Sequence, residues 1–105
     1  MNELTIPYGG KAEVTLTVRA PLAHVCPVVH ERDFGRVAIS YKPATRLLEL
    51  HALRNLLANF AATEITHEEL TSELHSVLES ALRPESLTVS TSWTTAGLDY
   101  EVTVS

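Results

Sequence analysis

One cysteine is too few for an internal disulfide, so Cys26 is a buried structural thiol, a reactive one or a metal ligand. No apolar run approaches the roughly 20 residues that span a bilayer, so no membrane partner is expected. Met1 to Gly10 lacks a basic start followed by an apolar stretch, so no secretory signal is expected and a cytoplasmic location is. Basic residues are scarce. Lys and Arg total 8 against 13 acids, a net charge of −5, which argues against broad non-specific binding to nucleic acid but not against a local basic patch. There is no Gly-x-Gly-x-x-Gly or Walker-type phosphate loop, no internal repeat and no low-complexity tract. What remains is an ordinary globular composition, 45% apolar and 20% charged, over 105 residues, which suits a single domain 1–105.

Apolar periodicity then orders the chain. Lys11 to Arg19 alternates, with Val14, Leu16 and Val18 on one side, as a half-buried antiparallel strand does. Ala20 to Asp33 reads as a long connection, because Pro21 and Pro27 block regular structure. Phe34 to Tyr41 is a second strand, ended by Pro43. Arg46 to Ala61 has helical spacing through Leu47, Leu50, Leu53, Leu57 and Phe60, with Thr45 as N-cap. Ala61 to Ile65 breaks the run. Thr66-His67-Glu68-Glu69 fits a capping box, and the helix it opens carries Leu70, Leu74, Val77, Leu78 and Leu82 until Arg83-Pro84. Ser86 to Trp93 alternates again, Thr94 to Gly97 reads as a turn, and Leu98 to Val104 closes the chain. The order strand-strand-helix-helix-strand-strand predicts an α+β domain with an antiparallel sheet and helices on one face. Its two sheet edges need protection, and pairing them between subunits predicts a ring-shaped homo-oligomer.

Several residues could carry chemistry. Cys26 sits in the first connection, where a lone cysteine is commonly a small apolar filler. Asp33 follows seven residues later and could cap the turn or serve as an acid across the loop. His67 and Glu68 open the second helix, where acids suit the dipole. A carboxylate there could also accept two N–H groups of an anchored heterocycle. His24, Cys26 and His30 share one loop, but their spacing matches no zinc pattern and no metal is expected. His51 and His75 lie within helices and read as solvated or at a subunit contact.

Cys26-Pro27, Asp33-Phe34-Gly35, Tyr41-x-Pro43, Glu49 and His67-Glu68 together resemble the QueF family in order and spacing, over Pro21 to about Leu70. The resemblance implies the tunnelling fold, assembled into a ring or barrel with sites between subunits. It implies a substrate, 7-cyano-7-deazaguanine, free or in transfer RNA. Cys26 would attack the nitrile carbon to give a covalent thioimide. Asp33 would protonate the nitrile nitrogen. Glu68 would hold the amino and ring N–H groups, and His67 would line the pocket and help move protons.

The family divides at the next step. Reductase members use NADPH to reach an aminomethyl group, whereas archaeal QueF-like members let ammonia attack, giving the amidine of archaeosine. The reductases carry Glu-Ser-Lys-Ser-x-Lys at the NADPH site. Here the stretch is Glu49-Leu50-His51-Ala52-Leu53-Arg54, without either serine or the first lysine. Losing a lysine beside a phosphate removes a point charge and donors. The short stretch after Glu68 is also similar to the QueF-like members. Asp33-Phe34-Gly35 is closer to the reductases, and the acidic charge suits a free base better than transfer RNA. The lost phosphate pattern favours an amidinotransferase without cofactor over an NADPH-dependent nitrile reductase. A third possibility is a non-catalytic binding module with an inert Cys26.

Overall fold

Alternation in three long strands builds one inner face. The computed structural model describes residues 3–105, so Met1 and Asn2 of the chain start lie outside the described residues. Strands β2 (Leu16–Val25), β3 (Arg32–Lys42), β5 (Ser86–Thr95) and β6 (Leu98–Val104) form an antiparallel sheet in the order β2-β3-β5-β6. In β3, Val37, Ile39 and Tyr41 point inward, and in β5 Leu87, Val89, Thr91 and Trp93 do the same, all buried. Side chains two apart share a face, so these sets are what period-two patterning requires.

Both helices cover that face. Helix α1 (Leu50–Asn59) buries Ala52, Leu53 and Leu57, and a 3₁₀ turn at Phe60–Ala62 adds Phe60. Helix α2 (His67–Leu82) buries Leu70, Leu74, Leu78 and Leu82, while Val77 stays 37% exposed. Burying each leucine contributes about 1.5–3 kcal/mol, so the stripe outweighs any weakness in local helix propensity. The expected N-cap is present, because Thr66 Oγ1 accepts the Glu69 N–H at 3.1 Å. Arg83 ends α2 in the left-handed conformation, φ 46°, ahead of Pro84. The predicted α+β order with helices on one face is thus observed.

Three expectations need correction. Ala20 to Asp33 is not a long loop: β2 runs through Pro21 to Val25, and only Cys26 to Glu31 separates it from β3. β2 lies at a sheet edge, where a residue without an N–H is tolerated. Helix α1 does not begin at Arg46. Arg46–Leu48 is a short strand, β4, paired with β1 (Thr5–Pro7), and the N-cap is Glu49 rather than Thr45. Leu47 and Leu48 mimic helical spacing, but the Leu48 N–H donates to the buried Tyr41 hydroxyl and the Glu49 N–H to the Leu4 carbonyl, so this stretch is extended. Finally, β5 continues past Trp93 to Thr95 and the turn shrinks to Ala96 and Gly97.

Both turn residues have positive φ, 55° at Ala96 and 75° at Gly97, as a two-residue type I′ hairpin demands. Gly97 adopts this without strain, whereas Ala96 carries a Cβ penalty. We expect Ala96→Asn to stabilise the chain by about 0.5–1 kcal/mol. A rise in the urea unfolding midpoint at unchanged slope checks it.

Candidate active site

The inner face is apolar along most of its length and polar at one end. The inward set of β2 runs from Leu16 through Val18 and Ala20 to Leu22 and then His24, which is only 1% exposed. The inward set of β3 ends in Gly35 and then Asp33. That of β5 ends in Trp93 and then Thr95. His24 lies directly opposite Asp33 in the β2–β3 ladder. Three neighbouring strands therefore deliver an imidazole, a carboxyl and a hydroxyl side by side. The first turn of α2 sets His67 over them.

These groups converge on one atom. Asp33 Oδ2 lies 2.8 Å from His67 Nε2, 2.8 Å from Thr95 Oγ1 and 3.3 Å from His24 Nε2. Burial works to raise the Asp33 carboxyl, but hydrogen bonds from His67 and Thr95, with the close His24 ring, outweigh it and hold the group below its ordinary value. Asp33 is therefore a carboxylate at neutral pH. His24 is fixed from behind, because its Nδ1 lies 2.6 Å from the Ile65 carbonyl. Thr91 Oγ1 shares a hydrogen bond with Thr71 at 2.7 Å and accepts the Trp93 indole N–H at 2.9 Å, which anchors the indole below the cluster.

Aromatic packing holds the imidazoles. The Trp93 ring centroid is 4.7 Å from that of His24 and 4.6 Å from that of His67. Tyr100 of β6 flanks His67 at 5.3 Å and donates its hydroxyl proton to Glu68. That hydrogen bond is the main reason the Glu68 carboxyl is lowered, and it raises the Tyr100 hydroxyl in turn. Gly35 is what admits the indole. A Cβ there would sit 2.4 Å from the Ser92 carbonyl oxygen and 2.5 Å from the Trp93 ring.

Of the residues expected from the sequence, Asp33 and His67 are in contact, and Glu68 is next to them on α2. Cys26 is a free, half-buried thiol one residue beyond β2, at the same end of the sheet. Its amide donates to the Glu31 carbonyl and its carbonyl accepts from His30, so the backbone on either side of the thiol is held. His30 turns away to pair with Glu64, so the loop trio of His24, Cys26 and His30 is split. Thr95, Trp93 and Tyr100 join the cluster without having been singled out from the sequence, and His24 was weighed there only as a partner of Cys26 and His30. The available signal was the alternation itself, which runs unbroken from Leu16 to His24 once Pro21 is allowed inside an edge strand.

Glu49, His51 and Arg54 form a separate group at the start of α1. The Glu49 carboxylate accepts the His51 backbone N–H and lies 3.3 Å from its ring Nδ1. A helix N-terminus can bind a phosphate through its free N–H groups and positive dipole end. Here the Glu49 carboxylate, which the reductase segment shares, takes that position. Arg54 is exposed on the next turn. The segment from Glu49 to Arg54 offers one exposed arginine and no lysine.

Comparison with known proteins agrees on the lineage. The profile of the QueF family, described as QueF-like protein, matches residues 32–105. The NADPH-dependent 7-cyano-7-deazaguanine reductase of Chlorobaculum parvum is 34% identical over 89 residues, covering 84% of this chain and 77% of that protein. The reductase of the same name from Chlorobium phaeobacteroides is 32% identical over 90 residues, covering 86% and 78%. The crystal structure of the archaeosine synthase QueF-Like in the apo form superposes with a TM-score of 0.86 over 90% of this chain and 94% of that one. At 23% identity, that last likeness is one of fold.

The packing around Gly35 has a direct consequence. We expect Gly35→Ala to destabilise the chain by about 1–3 kcal/mol, because the indole or the β5 backbone must move. It should also shift the fluorescence of Trp93, the single tryptophan. Urea unfolding and emission spectra measure both. An unchanged midpoint and spectrum would contradict the close approach.

Proposed function

The chain belongs to the QueF-like protein family, and from that premise we propose that it is an enzyme acting on the nitrile of 7-cyano-7-deazaguanine through a covalent thioimide at Cys26. The observation that carries this reading is the 2.8 Å pairing of Asp33 with His67 at the end of the sheet where Cys26 leaves β2.

The chemistry balances in two steps. Cys26 sulfur adds to the nitrile carbon, forming a C–S bond as one C–N π bond breaks. A thiolate is the attacking species, so the thiol proton must leave and a proton must reach the nitrogen. Asp33, ionised at rest, takes that proton and returns it to the nitrile nitrogen, with His67 holding the carboxylate in line. Ammonia then adds to the thioimide carbon, the C–S bond breaks, and Cys26 departs with its proton, leaving an amidine. Glu68 accepts the amino and ring N–H groups of the deazaguanine, and Tyr100 supports its ionised form.

Amination is favoured over reduction because Leu50, His51 and Ala52 stand where the reductase segment has Ser-Lys-Ser, so the lysine charge and both serine hydroxyls are missing beside α1. The second reading, an NADPH-dependent nitrile reductase, is favoured by the names of the sequence relatives. The base would be met free or within transfer RNA, in the cytoplasm. No described helix is long and apolar enough to cross a membrane. Copies of the single domain would pair the edge strands β2 and β6 into a ring, so that Cys26 and Glu68 reach one site from different chains.

Incubation with 7-cyano-7-deazaguanine should add the mass of one base per chain, and Cys26→Ala should abolish the adduct. Folded protein that forms no adduct would leave the non-catalytic module as the answer. Asp33→Asn should slow adduct formation by about 10²–10⁴-fold. Amidine formation with ammonium and modified transfer RNA, without NADPH, separates the transferase from the reductase, which would instead oxidise NADPH with the free base.

A further inference from the structure

The His24–Asp33 contact poses a hydrogen-bonding problem. The Ile65 carbonyl can only accept, so the His24 proton sits on Nδ1, 2.6 Å away. A neutral ring then turns the lone pair of Nε2 toward Asp33 Oδ2 at 3.3 Å. Two lone pairs facing each other at that distance repel, and His24 is too buried for water to relieve them freely. Leaving such a pair unsatisfied is unfavourable, because neither buried acceptor recovers the hydrogen bond it gave up to water. A positive charge between the two atoms removes the conflict. It is either a second ring proton or a metal ion.

The surroundings match a metal ion in four respects. First, His24 Nε2, Asp33 Oδ2 and His67 Nε2 all lie within 4.8 Å of one another. A tetrahedral zinc with bonds of about 2.0–2.1 Å separates its ligands by about 3.3 Å, close to the contacts present. Second, a ligating histidine ordinarily donates its other ring N–H to a carbonyl or carboxylate, which orients the metal-facing nitrogen. His24 does this with Ile65. Third, the three groups come from β2, β3 and α2, which hold them rigidly on regular elements. Fourth, Asp33 and His67 retain 16% and 15% side-chain exposure, which leaves a way in and a coordination position for water or Thr95 Oγ1.

We infer that His24, Asp33 and His67 form a binding site for a first-row divalent metal ion of the Zn²⁺ type. Two imidazoles and one carboxylate without thiolate suit such ions and not Mg²⁺ or Ca²⁺. The site is distinct in composition from the His24, Cys26 and His30 set that shares one loop in the sequence. A bound ion would occupy the atoms that the proposed reaction needs for proton transfer, so Zn²⁺ should inhibit adduct formation. That last consequence alone rests on the proposed chemistry.

The test uses the full chain without a histidine tag, stripped with chelator and titrated with Co²⁺. We expect visible ligand-field absorption of a four- or five-coordinate ion, saturating at one Co²⁺ per chain and displaced by Zn²⁺. His24→Gln and His67→Gln should each weaken binding by about 100-fold or more, and Cys26→Ala should leave it unchanged. Circular dichroism establishes that each variant is folded. If His24→Gln does not fold, His67→Gln decides, because His67 is the less buried of the two. Absence of absorption, weak octahedral bands alone, bands that survive in the folded histidine variants, or bands lost in Cys26→Ala would each overturn the site. The mass-spectrometric adduct at Cys26 is read on metal-free protein, so failure of one result leaves the other standing.

Discussion

The Asp33 carboxylate is the constraint on which this end of the molecule depends. One oxygen meets side chains from β2, α2 and β5, so a single atom ties two neighbouring strands and the covering helix to β3. A buried carboxylate without partners would be strongly disfavoured. With His67 and Thr95 donating to it, it becomes a fixed negative centre, and His67 takes its orientation from it. The second imidazole anchor, the Ile65 carbonyl, belongs to the segment just before α2. Helix and sheet are therefore positioned against each other by polar contacts here and by leucines elsewhere.

The rest of the inner face serves this arrangement. Leu70, Leu74, Leu78 and Leu82 press α2 onto β5 and set the direction of the helix. Thr66 fixes where the helix starts, and that choice decides that His67 and Glu68 fall in its first turn. Gly35 lets the Trp93 indole lie beneath the imidazoles, and Thr91 holds the indole N–H. A shift of one residue in the β3–β5 register would send Asp33 and Trp93 to opposite faces. Packing and site geometry are thus the same constraint seen at two ends of one sheet.

Much of the fold was legible because its signals are local. The leucine spacing of α2, the Thr66 cap and the alternation in β3 and β5 each lie within a few consecutive residues. Pro21 misled because a proline stops an interior strand but not an edge strand, and edge position depends on which strands pair. Leu47 misled because two apolar neighbours fit both periods, and only the Tyr41 hydroxyl and the β1 partner made that stretch extended. Asp33, His67 and Glu68 were legible through a motif. Thr95 and Tyr100 were not, since nothing in their own neighbourhoods marks them as chemical, and His24 stood out only beside Cys26 and His30, which are not its partners in the fold.

By itself the sequence determined the order of the four long strands and two helices, their main buried faces, the second helix's start and the motif that links Cys26, Asp33 and His67-Glu68 to one family. These follow from periodicity and caps, which act over a few residues. Only the tertiary structure decided that His24, Asp33 and Thr95 stand in one row beneath His67, and that Glu49 closes the start of α1. Cross-strand register and the docking of a helix join residues up to 62 positions apart, as in the Thr95–Asp33 hydrogen bond, and no local pattern encodes such a meeting.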